Sequence, residues 1–442
     1  MLNKWKKSGE CAFSFVDQED MDDEEFYQLF NDNFEDFINS WILKKEIKEY
    51  NSEKDLVTTR EAYNGYTVVT KELFSGILRN KFHIRKLINV SNEKLNDLDN
   101  GVIYDEKENK VYQKQGIASE YLKKSMNKWG EKNGICTLCE EEKKVDDIKQ
   151  YIYPFTIVRN KFKNLRPRGV ENIQICKKCA MKLFSAYSNM IFNLNSDYLN
   201  MLVIYSDVRE NFTFFKDNVI RKSFKVKYNT NLKGLNKYKF VSRPGELLFA
   251  TLNEFSKKPE FSLDSEEIDL ANINIILAGA NVKGNKTIYF DIDHLDSSSE
   301  VWELFKTWND DRENTARLFF LSLAPNIKDE DDLINRNKFI EKLLIQKTID
   351  YKSLEKATFK NISENRRTLA FVNKIILDYL EVMDKMEEKN LYEKTSNIGY
   401  RFGKEIERRE TNKNKCKGHL YELRRSRDLG NFLDTINSIQ TS

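Results

Sequence analysis

The sequence predicts an α+β protein, with an N-terminal mixed α/β region that contains an embedded four-cysteine module and a C-terminal helical bundle after it. Three observations predict this class. Two cysteine pairs, Cys136/Cys139 and Cys176/Cys179, lie within the N-terminal half. Strand-like and helical runs alternate up to about residue 300. Helical periodicity then dominates, with short links between successive helices.

The 442-residue chain is long enough for several domains, and its pattern changes suggest four regions. We expect a mixed α/β region at 1–130, the cysteine module with a long basic insert at 131–200, a mixed α/β region with a basic strand at 201–300, and the helical bundle at 301–442. The amino terminus lacks the apolar core of a signal peptide. No segment approaches the roughly 18–20 apolar residues of a membrane span.

The acidic segment 17–36 contains ten Asp or Glu and no basic residue. Its residues Phe26, Phe30, Phe34 and Phe37 recur at helical spacing, which predicts an amphipathic helix as far as about residue 50. This helix is either a plain surface helix or a docking face for a basic protein, because its charge would repel DNA.

The two cysteine pairs have the Cys-x-x-Cys spacing with which two thiolates bind one metal ion. We therefore predict a structural zinc site formed by Cys136, Cys139, Cys176 and Cys179. Four buried, reduced cysteines are the alternative, although Lys177 and Lys178 argue against burial of the second pair. A redox pair is expected once, near a βαβ pattern that the sequence lacks. Cysteines in metal-type spacing also indicate a reducing cytosol, so we expect a cytoplasmic protein.

The insert between the pairs, residues 140–175, exceeds the roughly 15–20 residues of a plain zinc ribbon. Its second half interleaves basic residues with Tyr153, Phe155 and Phe162, and no acidic residue lies between positions 151 and 170. Such a loop is suited to contact with phosphates and bases, and a solvated mobile loop is the alternative. The basic residues are Arg159, Lys161, Lys163, Arg166 and Arg168.

Two further basic segments are candidates for nucleic-acid contact, because a net charge of only +3 requires local patches. Segment 221–239 has seven basic residues, no acidic one, and an alternation typical of a strand with one basic face; a solvated edge strand is the alternative. Segment 401–427 has ten Lys or Arg against four Glu. From these segments we select Arg221, Lys222, Lys225, Lys227, Arg424, Arg425 and Arg427.

Other elements follow from local patterns. The helix that begins beside Cys179 is expected to reach residue 198, and Asp291-Ile292-Asp293-His294 is expected to form a strand-end turn rather than a metal site. Residues 369, 372, 376 and 380 form one apolar stripe, typical of a helix in a core. The predicted strands are 102–104 and 110–113 as a hairpin, 201–205, 273–280 and 287–290, and the predicted C-terminal helices are 301–309, 314–323, 332–346, 363–388, 394–409 and 430–439.

The cysteine pattern resembles that of HNH endonucleases, in which a strand bearing a histidine follows the first pair. Pro154 and Asn172 match, but residues 146–149 read Asp-Asp-Ile-Lys where the histidine is expected. Without an imidazole to activate water, nuclease chemistry lacks its general base. We expect a shared fold element without the activity, with a divergent HNH-like zinc-containing nuclease or a protein-only scaffold as the alternatives.

The combination of the two cysteine pairs, basic patches and a helical C-terminal part resembles the large subunit of type I CRISPR Cascade complexes, in its CXXC–CXXC branch. The resemblance spans about residues 136–439. Besides the cysteines, it rests on the C-terminal sequence Gly399-x-x-x-Gly403, then Gly418-His419-Leu420-Tyr421-Glu422-Leu423-Arg424-Arg425-Ser426-Arg427, then Asn431-Phe432-Leu433.

The resemblance implies a non-catalytic subunit in antiviral defence. Such a subunit lies at the guide's 5′ end, reads the protospacer-adjacent motif as duplex and helps to hold the displaced DNA, while guide pairing reads the target sequence. The implied partners are guide RNA, double-stranded target DNA, the backbone and guide 5′-end subunits, and a helicase-nuclease recruited in trans.

Overall fold

The computed structural model contains both helices and antiparallel sheets, as the sequence predicts. Among the described residues, no helix has both the length and the apolar character that crossing a membrane requires. The structure describes residues 1–12, 21–39, 44–51, 56–62, 102–105, 110–113, 126–149, 152–153, 173–195, 198–220, 230, 232–238, 241–258, 272–281, 288–295, 299–310, 315–323, 330–354, 366–409 and 434.

The chain divides into two compact units. The first unit comprises Met1–Trp302 and Asn337–Ile349, and the second comprises Glu303–Arg336 and Asp350–Ser442. The finer four-region division stays a prediction.

Three antiparallel sheets lie in the described part of the first unit. The first sheet has the order β2-β1-β4-β3 and includes the predicted hairpin of β3 and β4; its strands are β1 Lys44–Asn51, β2 Leu56–Ala62, β3 Val102–Asp105 and β4 Lys110–Gln113. The second has the order β5-β6-β7, with β5 Lys132–Ile135, β6 Glu142–Asp147 and β7 Gln174–Cys176. The third has the order β11-β10-β9-β8, with β8 Met190–Asn195, β9 Tyr198–Ser206, β10 Ile273–Asn281 and β11 Ile288–Leu295.

Helices cover the third sheet. Strand β9 is buried from Leu199 to Ser206, because the helices Leu2–Cys11, Arg209–Phe215 and Pro244–Ser256 pack on it. The long buried helix of this unit, α5, begins with a buried Glu246 carboxylate that accepts hydrogen bonds from the Ser242 backbone N–H (2.6 Å) and hydroxyl (2.9 Å). The helices of this unit are α1 Leu2–Cys11, α2 Asp23–Asn39, α3 Lys177–Ser185, α4 Arg209–Phe215 and α5 Pro244–Ser256.

Three boundary predictions in the first unit are wrong. Helix α2 ends at Asn39, and Lys44–Asn51 is a strand because it pairs with β2 and β4. Helix α3 ends at Ser185 rather than near residue 198, because the apolar run after it pairs with β9 as strand β8. The segment 291–294 is not a turn, since Ile292, Asp293 and His294 pair with β10 beyond a register shift at Asp291 and so continue β11. In each case strand pairing overrides a local pattern that also suits another conformation.

The second unit is helical in its described part. Helix α7 (Thr315–Ser322) packs on α9 (Arg366–Val382), and α9 packs on α10 (Met386–Arg409). On α9, Val372, Ile376 and Leu380 are buried as predicted, and the side chain of residue 369 lies outside the described part. Of the predicted helix 430–439, only Asp434 is described, and it is helical. The helices are α6 Ser299–Asp310, α7 Thr315–Ser322, α8 Glu330–Leu344, α9 Arg366–Val382 and α10 Met386–Arg409, and the division into units falls within α6 and α8.

The predicted single helix 363–388 is in fact interrupted. Asp384 has a φ of 53°, and the Lys385 N–H donates to the Leu380 carbonyl over 2.8 Å, which terminates α9 and lets α10 begin at Met386. Glycine usually occupies such a left-handed position, so an aspartate gives only a weak sequence signal for the break.

A close helix crossing joins α1 to α3. A Cβ atom on Gly9 would lie 1.4 Å from the Lys182 carbonyl oxygen, so only glycine permits this approach. The Trp5 indole N–H donates to the Leu183 carbonyl over 2.9 Å, and its ring makes edge contacts with Tyr153 and Tyr187. The N-terminal helix is therefore fixed to α3 across most of its length.

We predict that Gly9→Ala lowers the free energy of unfolding by about 3 kcal/mol, because the added methyl meets backbone atoms that cannot rotate away. Gly399→Ala in α10 is the matched control. Its Cβ would meet nothing within 4 Å, so it should add about 0.5–1 kcal/mol through helix propensity alone. Chemical denaturation measures both variants, and stabilisation by Gly9→Ala would contradict the close crossing.

Candidate metal centre

The four predicted cysteines converge. One sulfur from each of Cys136, Cys139, Cys176 and Cys179 lies within 4.8 Å of the other three, and this group can hold a metal ion. The Cys139 and Cys176 sulfurs are 3.9 Å apart. Tetrahedral metal–thiolate bonds of roughly 2.3 Å place sulfurs about 3.8 Å apart, whereas a disulfide needs about 2.05 Å. The thiols are free, and only Cys139 is partly exposed.

The first pair lies in a turn after β5. The Glu140 N–H donates to the Cys136 carbonyl over 2.8 Å, and Glu140 has a left-handed φ of 60°. The Cys136 N–H donates to the Glu141 carbonyl over 3.0 Å, which closes the turn against β6. This geometry directs both sulfurs of the pair to the same side.

The second pair lies where β7 passes into α3. Cys176 is the N-cap residue of α3 and Cys179 lies in its first turn. The Cys176 backbone N–H donates to the Cys136 sulfur over 3.3 Å. Because the N-terminal end of a helix favours negative charge, this position suits thiolate ligands.

Hydrogen bonds among the sulfurs shift the pKa values of Cys136, Cys176 and Cys179. Hydrogen bonds from the Cys176 and Cys179 thiols, together with the Cys176 backbone N–H, lower the pKa of Cys136 far below its usual range. The hydrogen bond that Cys179 makes to Cys136 raises the pKa of the Cys179 thiol. These hydrogen bonds favour negative charge on the Cys136 sulfur, and four deprotonated thiols at this spacing could share one divalent cation.

Helix α3 is buried, contrary to the expectation from its lysines. Cys176 and Cys179 are each 3% exposed, and even Lys182 is only 8% exposed. The ammonium groups have partners, which the sequence pattern alone did not reveal. Lys182 pairs with Glu10 at 2.9 Å, and Lys178 donates to the Met21 carbonyl at 2.9 Å.

The acidic helix α2 supplies the other partners. Asp23 pairs with Lys143 at 3.2 Å and with Lys178 at 3.4 Å, and the Lys177 ammonium lies 4.2 Å from the centre of the Tyr27 ring. Phe26 is fully buried. The start of α2 therefore packs on the cysteine module of its own molecule, and docking of a basic partner protein on this helix stays a prediction.

The start of α2 carries a sequence signal that the helical-periodicity argument missed. The Glu25 N–H donates to the Asp22 carboxylate over 2.9 Å, and the Asp22 N–H donates to the Glu25 carboxylate over 3.3 Å. This reciprocal capping box could have been read from the Asp-x-x-Glu spacing.

The strand β6 carries the residues that occupy the expected histidine position of an HNH nuclease. There the Asp146 carboxylate accepts a hydrogen bond from the Gly130 N–H over 3.0 Å, and Gly130 has a left-handed φ of 90°. This carboxylate therefore fixes the turn before β5, and the observed contact favours a structural role over general-base chemistry.

The predicted nucleic-acid contacts are not tested by the described part of the chain. They all lie outside the described residues: Arg159, Lys161, Lys163, Arg166, Arg168, Arg221, Lys222, Lys225, Lys227, Arg424, Arg425 and Arg427.

Within the described ranges, the four cysteines are the single group of three or more Cys, His, Asp or Glu side chains arranged to hold a metal ion. Neither the protein-family models nor the curated proteins with which the chain was compared match it.

We predict that Cys176→Ser abolishes metal binding and makes the insert sensitive to protease, because closing its long loop then depends on β-pairing alone. Cys11→Ser is the matched control, since Cys11 is buried outside the cluster and donates to the Ser206 carbonyl over 3.3 Å. Elemental analysis should find about one metal ion per chain in the wild type and control. Far less than that in the wild type would contradict the site.

We predict that Glu140→Gly stabilises the metal-loaded protein by about 1 kcal/mol, because glycine removes the strain of a left-handed backbone. Glu140→Val should destabilise it by a similar amount, since a β-branched residue tolerates this conformation poorly. Thermal unfolding of the three proteins tests the order Gly, Glu, Val. Any other order would contradict the turn geometry.

Proposed function

We propose that this chain is the non-catalytic large subunit of a CRISPR RNA-guided DNA surveillance complex, which recognises the protospacer-adjacent motif and stabilises the bound target DNA. The observation that carries the proposal is the convergence of four cysteine sulfurs at the two ends of a long basic insert. The resemblance of the cysteine spacing and the C-terminal sequence to that family supports it.

We further propose that the bound metal is structural zinc. An all-thiolate tetrahedral set favours zinc or iron, and zinc provides such a closed site without redox chemistry. Cys136, Cys139, Cys176 and Cys179 would hold the ion. Four protein ligands leave no coordination position for water or substrate, which favours a structural role over hydrolysis.

The metal centre provides a physical reason for the insert to act in recognition. Residues 140 and 175 adjoin ligands whose sulfurs, on Cys139 and Cys176, lie 3.9 Å apart. An insert fixed at both ends loses less conformational entropy when it settles on a ligand than a free loop would. Its arginines can bind guanine edges, and its lysines phosphates.

Within the proposed complex the chain works with guide RNA, double-stranded target DNA, the backbone subunit and the guide 5′-end subunit. A helicase-nuclease recruited in trans cuts the target, so the chain itself needs no catalytic residue. This assignment places it in the cytoplasm, in antiviral defence.

The decisive experiment assembles the guide-loaded complex with and without this chain. Binding is then measured to duplexes that share the protospacer and differ only in the adjacent motif. The proposal expects motif discrimination only when the chain is present. Equal discrimination without it would refute the proposal, and metal-dependent cleavage of plasmid by the purified chain would favour the nuclease alternative.

We predict that Arg166→Ala with Arg168→Ala weakens target binding and relaxes motif preference, since each bidentate guanine contact contributes about 1–3 kcal/mol of discrimination. Lys161→Ala with Lys163→Ala is the comparison, and should weaken binding to all sequences alike. The measurement uses the same set of duplexes. If both double variants bind every duplex as the wild type does, the motif is read elsewhere, for example by segment 221–239.

A further inference from the structure

The second half of α10 projects from the helices described around it. Every described side chain from Glu393 to Lys404 is exposed except that of Ser396. The first half is attached to α9, where the Tyr392 hydroxyl donates to Asn373 over 2.8 Å and the Asn373 amide donates to Ser396 over 3.3 Å. At Gly399 the adjacent space is open, because a Cβ there would meet nothing within 4 Å.

A row of cations follows the exposed side of this helix. Lys394, Arg401 and Lys404 are exposed and recur at spacings of seven and three residues, which places them on one face. Positions 397 and 408 share that face by the same spacing and are Asn and Arg, so none of these five positions is acidic. Ten residues of helix separate Lys394 from Lys404, so the row extends over about 15 Å.

An exposed aromatic ring borders this row. Tyr400 is 59% exposed, and the Lys404 ammonium lies 4.9 Å from the centre of its ring. The ring can therefore be held beside a cation by attraction to its face. More than half of the residue's surface remains exposed, and an exposed aromatic ring can stack on a base.

We propose that this face of α10 binds single-stranded nucleic acid, with Lys394, Arg401 and Lys404 along the phosphates and Tyr400 stacked on a base. A straight row of cations matches one backbone, and an exposed ring can stack only on a base that is not enclosed in a duplex. The inference rests on the proposed function, from which it takes nucleic acid as the ligand. It adds the residues of α10 that bind this ligand and specifies that the bound nucleic acid is single-stranded.

The test uses the metal-loaded full chain with a fluorescent 30-residue oligothymidylate and a blunt duplex of equal length. The triple variant Lys394→Gln, Arg401→Gln, Lys404→Gln should flatten the slope of log affinity against log salt by about 2, at roughly 0.7 per phosphate contact. The control variant Lys128→Gln, Lys338→Gln, Lys352→Gln removes three other exposed lysines. It has the same net charge and should keep the wild-type slope.

Tyr400 is tested separately from the charges. Tyr400→Leu should weaken binding of the single strand roughly 5- to 150-fold without changing the salt slope, because one stacked base is lost. Tyr400→Phe should bind as the wild type does, since it retains the ring. Binding of the duplex should be unaffected by either substitution.

Three results would overturn the inference: no binding of the oligothymidylate by the wild type, equal slopes for the triple and control variants, or equal loss of duplex binding in Tyr400→Leu. These results are distinct from failure of the proposed function. If motif discrimination by the assembled complex depends on the chain but the triple variant keeps its slope, only the α10 inference fails. If the α10 effects appear without motif discrimination, only the proposed function fails.

Discussion

The convergence of four cysteine sulfurs is the constraint on which the N-terminal architecture depends. To place Cys136 beside Cys176, strands β5, β6 and β7 must pair in one register, with Val145 opposite Cys176. That register positions the first turn of α3, and α3 in turn provides the surface on which α1 and α2 pack. The positions of the four sulfurs are thus linked by backbone pairing and packing to helices that are distant in sequence.

Several cations around the cysteine module are paired within the chain itself. The lysines of α3 and Lys143 of β6 are matched by Asp23, Glu10 and aromatic rings of the same chain. Phe26 anchors α2 by full burial. Displacing α2 would expose that ring at a cost of about 1.5–3 kcal/mol, so these lysines are not readily available to a polyanion. On α10, Lys394, Arg401 and Lys404 have exposed side chains.

The chemistry of the metal centre also bears on the choice between a binding protein and an enzyme. Its four candidate ligands are all thiols, and Asp146 is committed to the backbone of Gly130. A closed thiolate set stabilises a fold without offering a position to substrate. The arrangement therefore favours a module that presents a loop over one that activates water.

The cysteine spacing by itself determined which four residues form the candidate metal centre, since two Cys-x-x-Cys pairs have few other uses. Apolar periodicity determined the strands β9 and β10 and the buried stripe of α9. Only the tertiary structure decided where α2 and α3 end, because strand pairing competes there with helical periodicity. It also decided the break at Asp384, because a left-handed residue other than glycine leaves little trace in the sequence. The close crossing at Gly9 was likewise undetermined. A glycine in a helix gives no signal of its own until another backbone lies against it. The burial of α3 becomes understandable only when its lysines are seen to contact partners more than 100 residues away.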